Sequence, residues 1–183
     1  YQANKEVYAY IKYGIKIDYI NDQSDPDSFT FQLMDRENPT NNDWVVTNQI
    51  TYKWPLYEKR PDIMIYLNGL PLIVIECKNM TQPIKQAFDD NISDYLDALP
   101  WLRPYNLAVI ITNGTQNKIG SLTSNYEHYF TWKKTQEGGE HSIGMDMMIS
   151  GFLKPQILLD YLRHFVLFDE SDQVKIIAKN HQY

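Results

Sequence analysis

"RPDIMIYLNGLPLIVIECKN", residues 60–79, decides the fold. Two apolar runs, 63–67 and 70–78, flank Asn68-Gly69. That dipeptide favours a two-residue type I′ turn, because both residues tolerate positive φ. The runs are therefore expected to pair as an antiparallel hairpin. "LIVIE" (72–76) is apolar on both faces, so its strand is expected at the centre of a sheet covered on both sides. Its end is charged, however. Glu76 and Lys78 share a face, and Cys77 is expected to point the other way into apolar surroundings. Asp62 stands six residues before Asn68, and Glu76 seven after Gly69. The turn thus sets two carboxylates at the same end of the strand pair.

Like charges at close range repel, and they coexist at low cost when a cation lies between them. Oxygen ligands suit Mg²⁺ or Mn²⁺, which keep several waters. The backbone carbonyl of Cys77 is a plausible further ligand. Lys78 would then lie beside a metal-bound water, to orient it, help deprotonate it, or stabilise charge on a phosphate. The implied chemistry is metal-assisted hydrolysis of a phosphodiester. A bland reading stands beside it: Glu-x-Lys alone is equally a same-face ion pair of little energetic weight. The carboxylate opposite, and a strand too apolar for a solvated edge, separate the two readings.

Outward from this hairpin, residues 2–13 predict a helix with Ala3, Val7, Tyr10 and Ile11 on one face, closed by Gly14. Residues 15–19 and 29–33 alternate as strands. "WVVTNQITYKW" (44–54) reads as one long strand with Val46, Ile50, Tyr52 and Trp54 on one face and Val45, Thr47, Gln49, Thr51 and Lys53 on the other. Downstream, Thr81 and Pro83 open a predicted helix whose stripe is Ile84, Ala87, Phe88, Ile92, Tyr95 and Leu99. "LAVIIT" (107–112) reads as a buried strand parallel to the central one. Short strands are expected at 118–123 and 128–132, a loop at 135–142, a helix from Pro155 to Phe165 and a last helix over 173–183. This order predicts an α/β fold with a mixed central sheet flanked by helices.

The length of 183 residues suits one domain with a sizeable core. No apolar run is long enough for a spanning helix, so no membrane association is expected. The single cysteine, Cys77, leaves no internal disulfide and agrees with a cytoplasmic location. The net charge of −6 is unlike that of a stand-alone nucleic-acid binder. Any DNA is expected to be delivered by partners, and the chain alone to cut it poorly. The chain opens on Tyr1 rather than Met and reads as a piece of a longer protein.

Pro61-Asp62 followed by Glu76-Cys77-Lys78 resembles the PD-(D/E)xK nuclease signature. More closely, the chain resembles the N-terminal nuclease domain of type I restriction enzyme R subunits. The resemblance runs through 41–52, 60–79, 105–123 and 158–170, and "KIIAKNHQY" (175–183) looks like the lead into that subunit's motor. It implies a restriction-endonuclease-like fold, with a nuclease domain over 1–170 and a helical lead-in over 171–183 to an ATP-dependent motor outside this chain. It implies a type I site-specific deoxyribonuclease acting on double-stranded DNA with methylation and specificity subunits. Asp62 and Glu76 would bind Mg²⁺, and Lys78 would be the catalytic lysine. The family's Gln-x-x-x-Tyr motif is met by Tyr95, with Asn91 in place of Gln. Glu6, on the first helix, is a candidate for the extra acidic residue that some PD-(D/E)xK nucleases recruit.

No G-x-x-x-x-G-K-[ST] loop is present, so any ATP chemistry belongs to the motor. His128, His141, His164 and His181 are scattered, without zinc-ligand spacing to Cys77. Lys133 and Lys134 read as a solvated loop end, with DNA or motor contact as the alternative. Two competitors remain: a stand-alone repair or resolvase-type nuclease of the same superfamily, and a non-catalytic docking domain. The second requires Asp62, Glu76 and Lys78 to diverge.

Overall fold

A computed structural model describes residues 1–132 and 144–179. Lys133, Lys134, His141, His181 and the loop expected at 135–142 lie outside the described residues. The elements run α1 (Gln2–Tyr13), β1 (Ile15–Ile20), β2 (Pro26–Phe31), β3 (Trp44–Asn48), β4 (Tyr52–Trp54), β5 (Tyr57–Lys59), β6 (Ile63–Leu67) and β7 (Leu70–Cys77). A continuous helical segment follows: α2 (Lys85–Ala87), a π-helical turn (Phe88–Ile92) and α3 (Ser93–Ala98). Then come β8 (Ala108–Thr112), β9 (Asn117–Gly120), α4 (Met145–Ser150), α5 (Pro155–His164), β10 (Val166–Asp169) and β11 (Val174–Ile177).

The main sheet has five strands in the order β3-β6-β7-β8-β9. Asn68 (φ 49°) and Gly69 (φ 81°) turn β6 into β7 with the left-handed backbone their sequence favours. β7 is central, antiparallel to β6 and parallel to β8. Parallel pairing requires a crossover, and the helical segment 85–98 provides it. Helices cover both faces. Ile73, Ile75 and Ile110 pack in one cluster with Ile11 of α1 and Leu158, Tyr161 and Leu162 of α5. Val74, Val109 and Ile111 pack in the other with Ala87, Ile92 and Tyr95. Truncating a side chain sealed this way, such as Ile110→Ala, costs about 2–5 kcal/mol. No helix of the described residues is long and apolar enough to cross a membrane.

Several expectations are corrected. The inward face of α1 carries Asn4 and Ile11, while Ala3 and Tyr10 are exposed. The strand expected over 44–54 breaks after Asn48, where Gln49 takes φ 50°, and β4 pairs with β5 instead. Val46 is consequently 66% exposed, on an edge strand that only β6 partners. The strand expected at 29–33 lies at 26–31, paired with β1 away from the main sheet. Residues 128–132 contribute one bridge, Ile119 to Phe130, rather than a strand. The helix expected over 171–183 is contradicted over 174–177. Val174–Ile177 is β11, hydrogen-bonded to β10 with Lys175 and Ile177 buried, and a two-residue burial alternation is a strand's.

Candidate active site

The last paired residues of the central hairpin are Ile63 and Ile75, so Asp62 and Glu76 come next and face each other. β7 runs two residues beyond that pair, and its neighbour β8 supports it to the end. The Lys78 N–H donates to the Thr112 carbonyl at 2.8 Å. On the other side, the Cys77 N–H donates to Asp62 Oδ2 at 2.8 Å. The Asp62 carbonyl accepts from Gln49 N–H at 2.9 Å, so the break that ends β3 also pins the carboxylate's backbone.

Glu76 is the most deeply sealed carboxylate among the described residues, at 1% exposure. Asn91 Nδ2 donates to its Oε2 at 2.6 Å, and the Tyr95 hydroxyl donates to its Oε1. Burial raises its pKa, and the charge of Asp62 raises it further. The Tyr95 and Asn91 hydrogen bonds, with the Asp62 backbone N–H, favour the anion and oppose that rise. Burial also raises the Tyr95 phenol, as does the charge of Glu76, so Tyr95 stays protonated and donates. Lys78 follows on the same face. Its Nζ lies 3.0 Å from Asp90 Oδ2, on the helical turn that presents Asn91.

That turn is π-helical, and its wider winding accommodates one extra residue. Two consecutive residues, Asp90 and Asn91, thereby reach two different partners, Lys78 and Glu76. It also explains how the short amide of Asn91 meets the carboxylate: the backbone supplies the reach a longer Gln would. Tyr95 belongs to the core as expected of its stripe, with its hydroxyl spent on Glu76. Thr81 does not cap this helix; its N–H and hydroxyl both turn back to Asn79 Oδ1.

Not every candidate joins. Cys77 is exposed rather than set in apolar surroundings, since it ends the strand where the cover of that face stops. Glu6 is exposed and accepts from Gln2 Nε2 at 2.9 Å. It sits on α1, which packs on the sheet face opposite the Glu76 helix. Asp90 escaped the sequence reading, because an acid off the apolar stripe looks like any solvated helix residue. Its only local signal was the run Asp89-Asp90-Asn91 one turn before Tyr95.

Among the described residues, no group of three or more His, Cys, Asp or Glu side chains could hold a metal ion. The site offers the oxygens of two carboxylates and nearby backbone. A hard cation that keeps most of its own water suits that donor set better than zinc does. Each hydrogen-bonded carboxylate oxygen retains a second lone pair for such a ligand.

The family model described as type I restriction enzyme R protein N terminus matches residues 1–128. The chain belongs to that family. Among relatives, the type I restriction enzyme HindI endonuclease subunit of Haemophilus influenzae is 31% identical over 194 residues, covering 98% of this chain and 18% of that protein. A Methanocaldococcus jannaschii chain, assigned by name to the type I restriction enzyme MjaIXP, is 26% identical and covers 98% and 19%. The SauCOLORF180P endonuclease subunit of Staphylococcus aureus is 23% identical over 87% of this chain. The chain therefore spans less than a fifth of the length of these curated relatives. It represents the R-protein N-terminal region, built here as a mixed α/β sheet with helices on both faces.

Proposed function

We propose that this chain is the nuclease part of a type I restriction R subunit, hydrolysing phosphodiester bonds of double-stranded DNA with Mg²⁺ in a PD-(D/E)xK site. One observation carries the reading. A sealed glutamate near the end of the central strand faces a second carboxylate and is gripped at both oxygens by a helix whose Asp90, beside Asn91, holds the neighbouring lysine. A structural role would not need a second negative charge there, because Asp62 makes the burial of Glu76 costlier.

Asp62 and Glu76 are the residues that would hold the ion. Bound there, Mg²⁺ would supply Lewis acidity and a more acidic water. The chain's own residues do the rest. Tyr95 and Asn91 fix the Glu76 carboxylate in one orientation, and the Cys77 N–H fixes Asp62. Lys78, with its side chain 17% exposed, holds its ammonium beside them, 3.0 Å from Asp90 Oδ2. There it is placed to orient the attacking water or to stabilise negative charge on the phosphate. Specificity and methylation subunits and an ATP-driven motor, outside this chain, would bring the DNA, which agrees with the net charge of −6.

The test uses the parent subunit reconstituted with its partners on unmethylated target DNA. Glu76→Ala is expected to abolish cleavage while ATP hydrolysis persists. Cleavage that survives this change would make Glu76 and Lys78 a structural pair and overturn the reading.

A further inference from the structure

The β1–β2 hairpin stands apart from both cores. Its strands contact chiefly each other, and neither supplies a residue to either core cluster. From Lys16 to Phe31 every residue is exposed except half-buried Asn21. The register pairs Ile15 with Phe31, Ile17 with Phe29 and Tyr19 with Asp27. Cross-strand partners share a face, so Ile15, Ile17, Tyr19, Phe29 and Phe31 form one apolar surface. The opposite face is mixed, and there Lys16 pairs with Asp18 at 2.9 Å. On the apolar face, Ile17 is 39% exposed, Tyr19 43%, Phe29 49% and Phe31 51%. Tyr19 and Phe29 meet edge to face, with ring centroids 5.9 Å apart. A two-stranded ribbon of this kind is marginal by itself, and a contiguous apolar patch with a polar rim marks an interaction surface.

We propose that this face docks on a protein surface with an apolar centre and a basic rim, carried by the remainder of the longer R subunit. Charge selects the occupant. The hairpin carries Asp18, Asp22, Asp25 and Asp27 against a single lysine, and that lysine is already paired. Such a ribbon repels nucleic acid and anionic lipid. It also repels a second copy of a chain whose net charge is −6. Length supplies the rest: the matched stretch is 18% of the HindI subunit, so most of such a subunit lies elsewhere and needs a seat against this domain. The inference rests on the chain's proposed place in a longer subunit, and not on the nuclease chemistry.

Amide hydrogen exchange of residues 15–31 tests it, comparing the full-length subunit with the 183-residue chain. Exchange is expected to be slower in the full-length subunit by roughly tenfold or more, and to speed up at high salt. The paired changes Ile17→Ser and Phe29→Ser are expected to erase the difference without moving the Tm of the 183-residue chain. Equal exchange in both proteins overturns the proposal. So does protection of the short chain that grows with its concentration, which means a second copy, or protection that appears only with duplex DNA. Glu76→Ala is expected to leave the protection intact, so failure here and failure of the nuclease reading are told apart.

Discussion

Glu76 and Lys175 are both ionisable and both sealed, at 1% and 3% exposure, yet the protein treats them in opposite ways. Around Glu76 it has gathered two side-chain donors, a helix wound to deliver them, and a second carboxylate that makes the charge harder to keep. Lys175 has no such company. Its Nζ donates to the Asn106 carbonyl, which also accepts from Asn4, and its main-chain N–H donates to Thr123 Oγ1 at 3.1 Å. Burial alone brings its pKa down to about 7. The lysine ties β11 to the entry of β8 and to α1, and it meets the cost of burial by giving up its proton readily. The glutamate is held in a site that aggravates its cost. A buried acid set beside a second acid is a pattern of functional sites; a buried lysine whose pKa burial alone lowers is the pattern of a structural tie.

The most severe break of this contrast is Glu76→Gln. Cleavage by the reconstituted subunit is expected to fall by about 10³-fold or more. The fold is expected to gain stability at neutral pH. A carboxyl whose folded pKa is raised contributes stability at low pH, and that contribution is lost as pH rises from 4.5 through the folded value. The variant's Tm should exceed the parent's at pH 7, and the gap should close below pH 4.5. A lower Tm at pH 7 would mean that Glu76 is chiefly a structural anchor.

Next in size is Asn91. Asn91→Ala removes one of the two grips and is expected to lower cleavage about 10–100-fold. Asn91→Gln tests whether the π turn and the short amide are matched. Because the turn already supplies the reach, Gln is expected to restore cleavage only in part. Full activity in Asn91→Ala would show that Tyr95 alone orients the carboxylate.

Lys175→Met sharpens the comparison from the structural side. A lysine whose folded pKa is lowered to about 7 from 10.5 makes the parent gain stability as pH rises across that interval. The methionine variant is expected to lose that slope, to be more stable at pH 7 by about 1–2 kcal/mol, and to cut DNA normally. Urea melts at pH 7 and pH 10 read the slope; an unchanged slope would assign the titration to another group.

Smallest is Asp90→Asn. The Lys78–Asp90 pair is partly exposed, with side chains 17% and 46% accessible. Its loss is expected to cost under about 1 kcal/mol in stability, and less than fivefold in cleavage. A larger loss of cleavage with unchanged Tm would make Asp90 a positioning residue for the lysine.

Much of this could be read from residues alone. The Asn-Gly turn, the central strand and the facing carboxylates follow from turn chemistry and a period of two, so Asp62 and Glu76 meet where expected. The family was visible in the same stretch. Other features were hidden. The residues after Asn48 keep alternating through the point where the strand breaks, so periodicity could not mark the break. Residues 174–177 suited a helix as well as a strand, and pairing with β10 decided between them.

By itself, then, the sequence determined the hairpin and the identity of the groups at its end, because φ preferences and side-chain alternation are properties of the local chain. The tertiary structure decided what surrounds those groups. The π turn packs Phe88 against Tyr126 and Tyr129, with ring centroids 5.7 and 5.3 Å apart, and in doing so aims Asn91 and Asp90 at strand β7. It also decided that Cys77 is exposed, that Lys175 is sealed and that β1–β2 is left uncovered. Burial is set by which distant elements pack together, and those contacts are not written in any one segment's pattern.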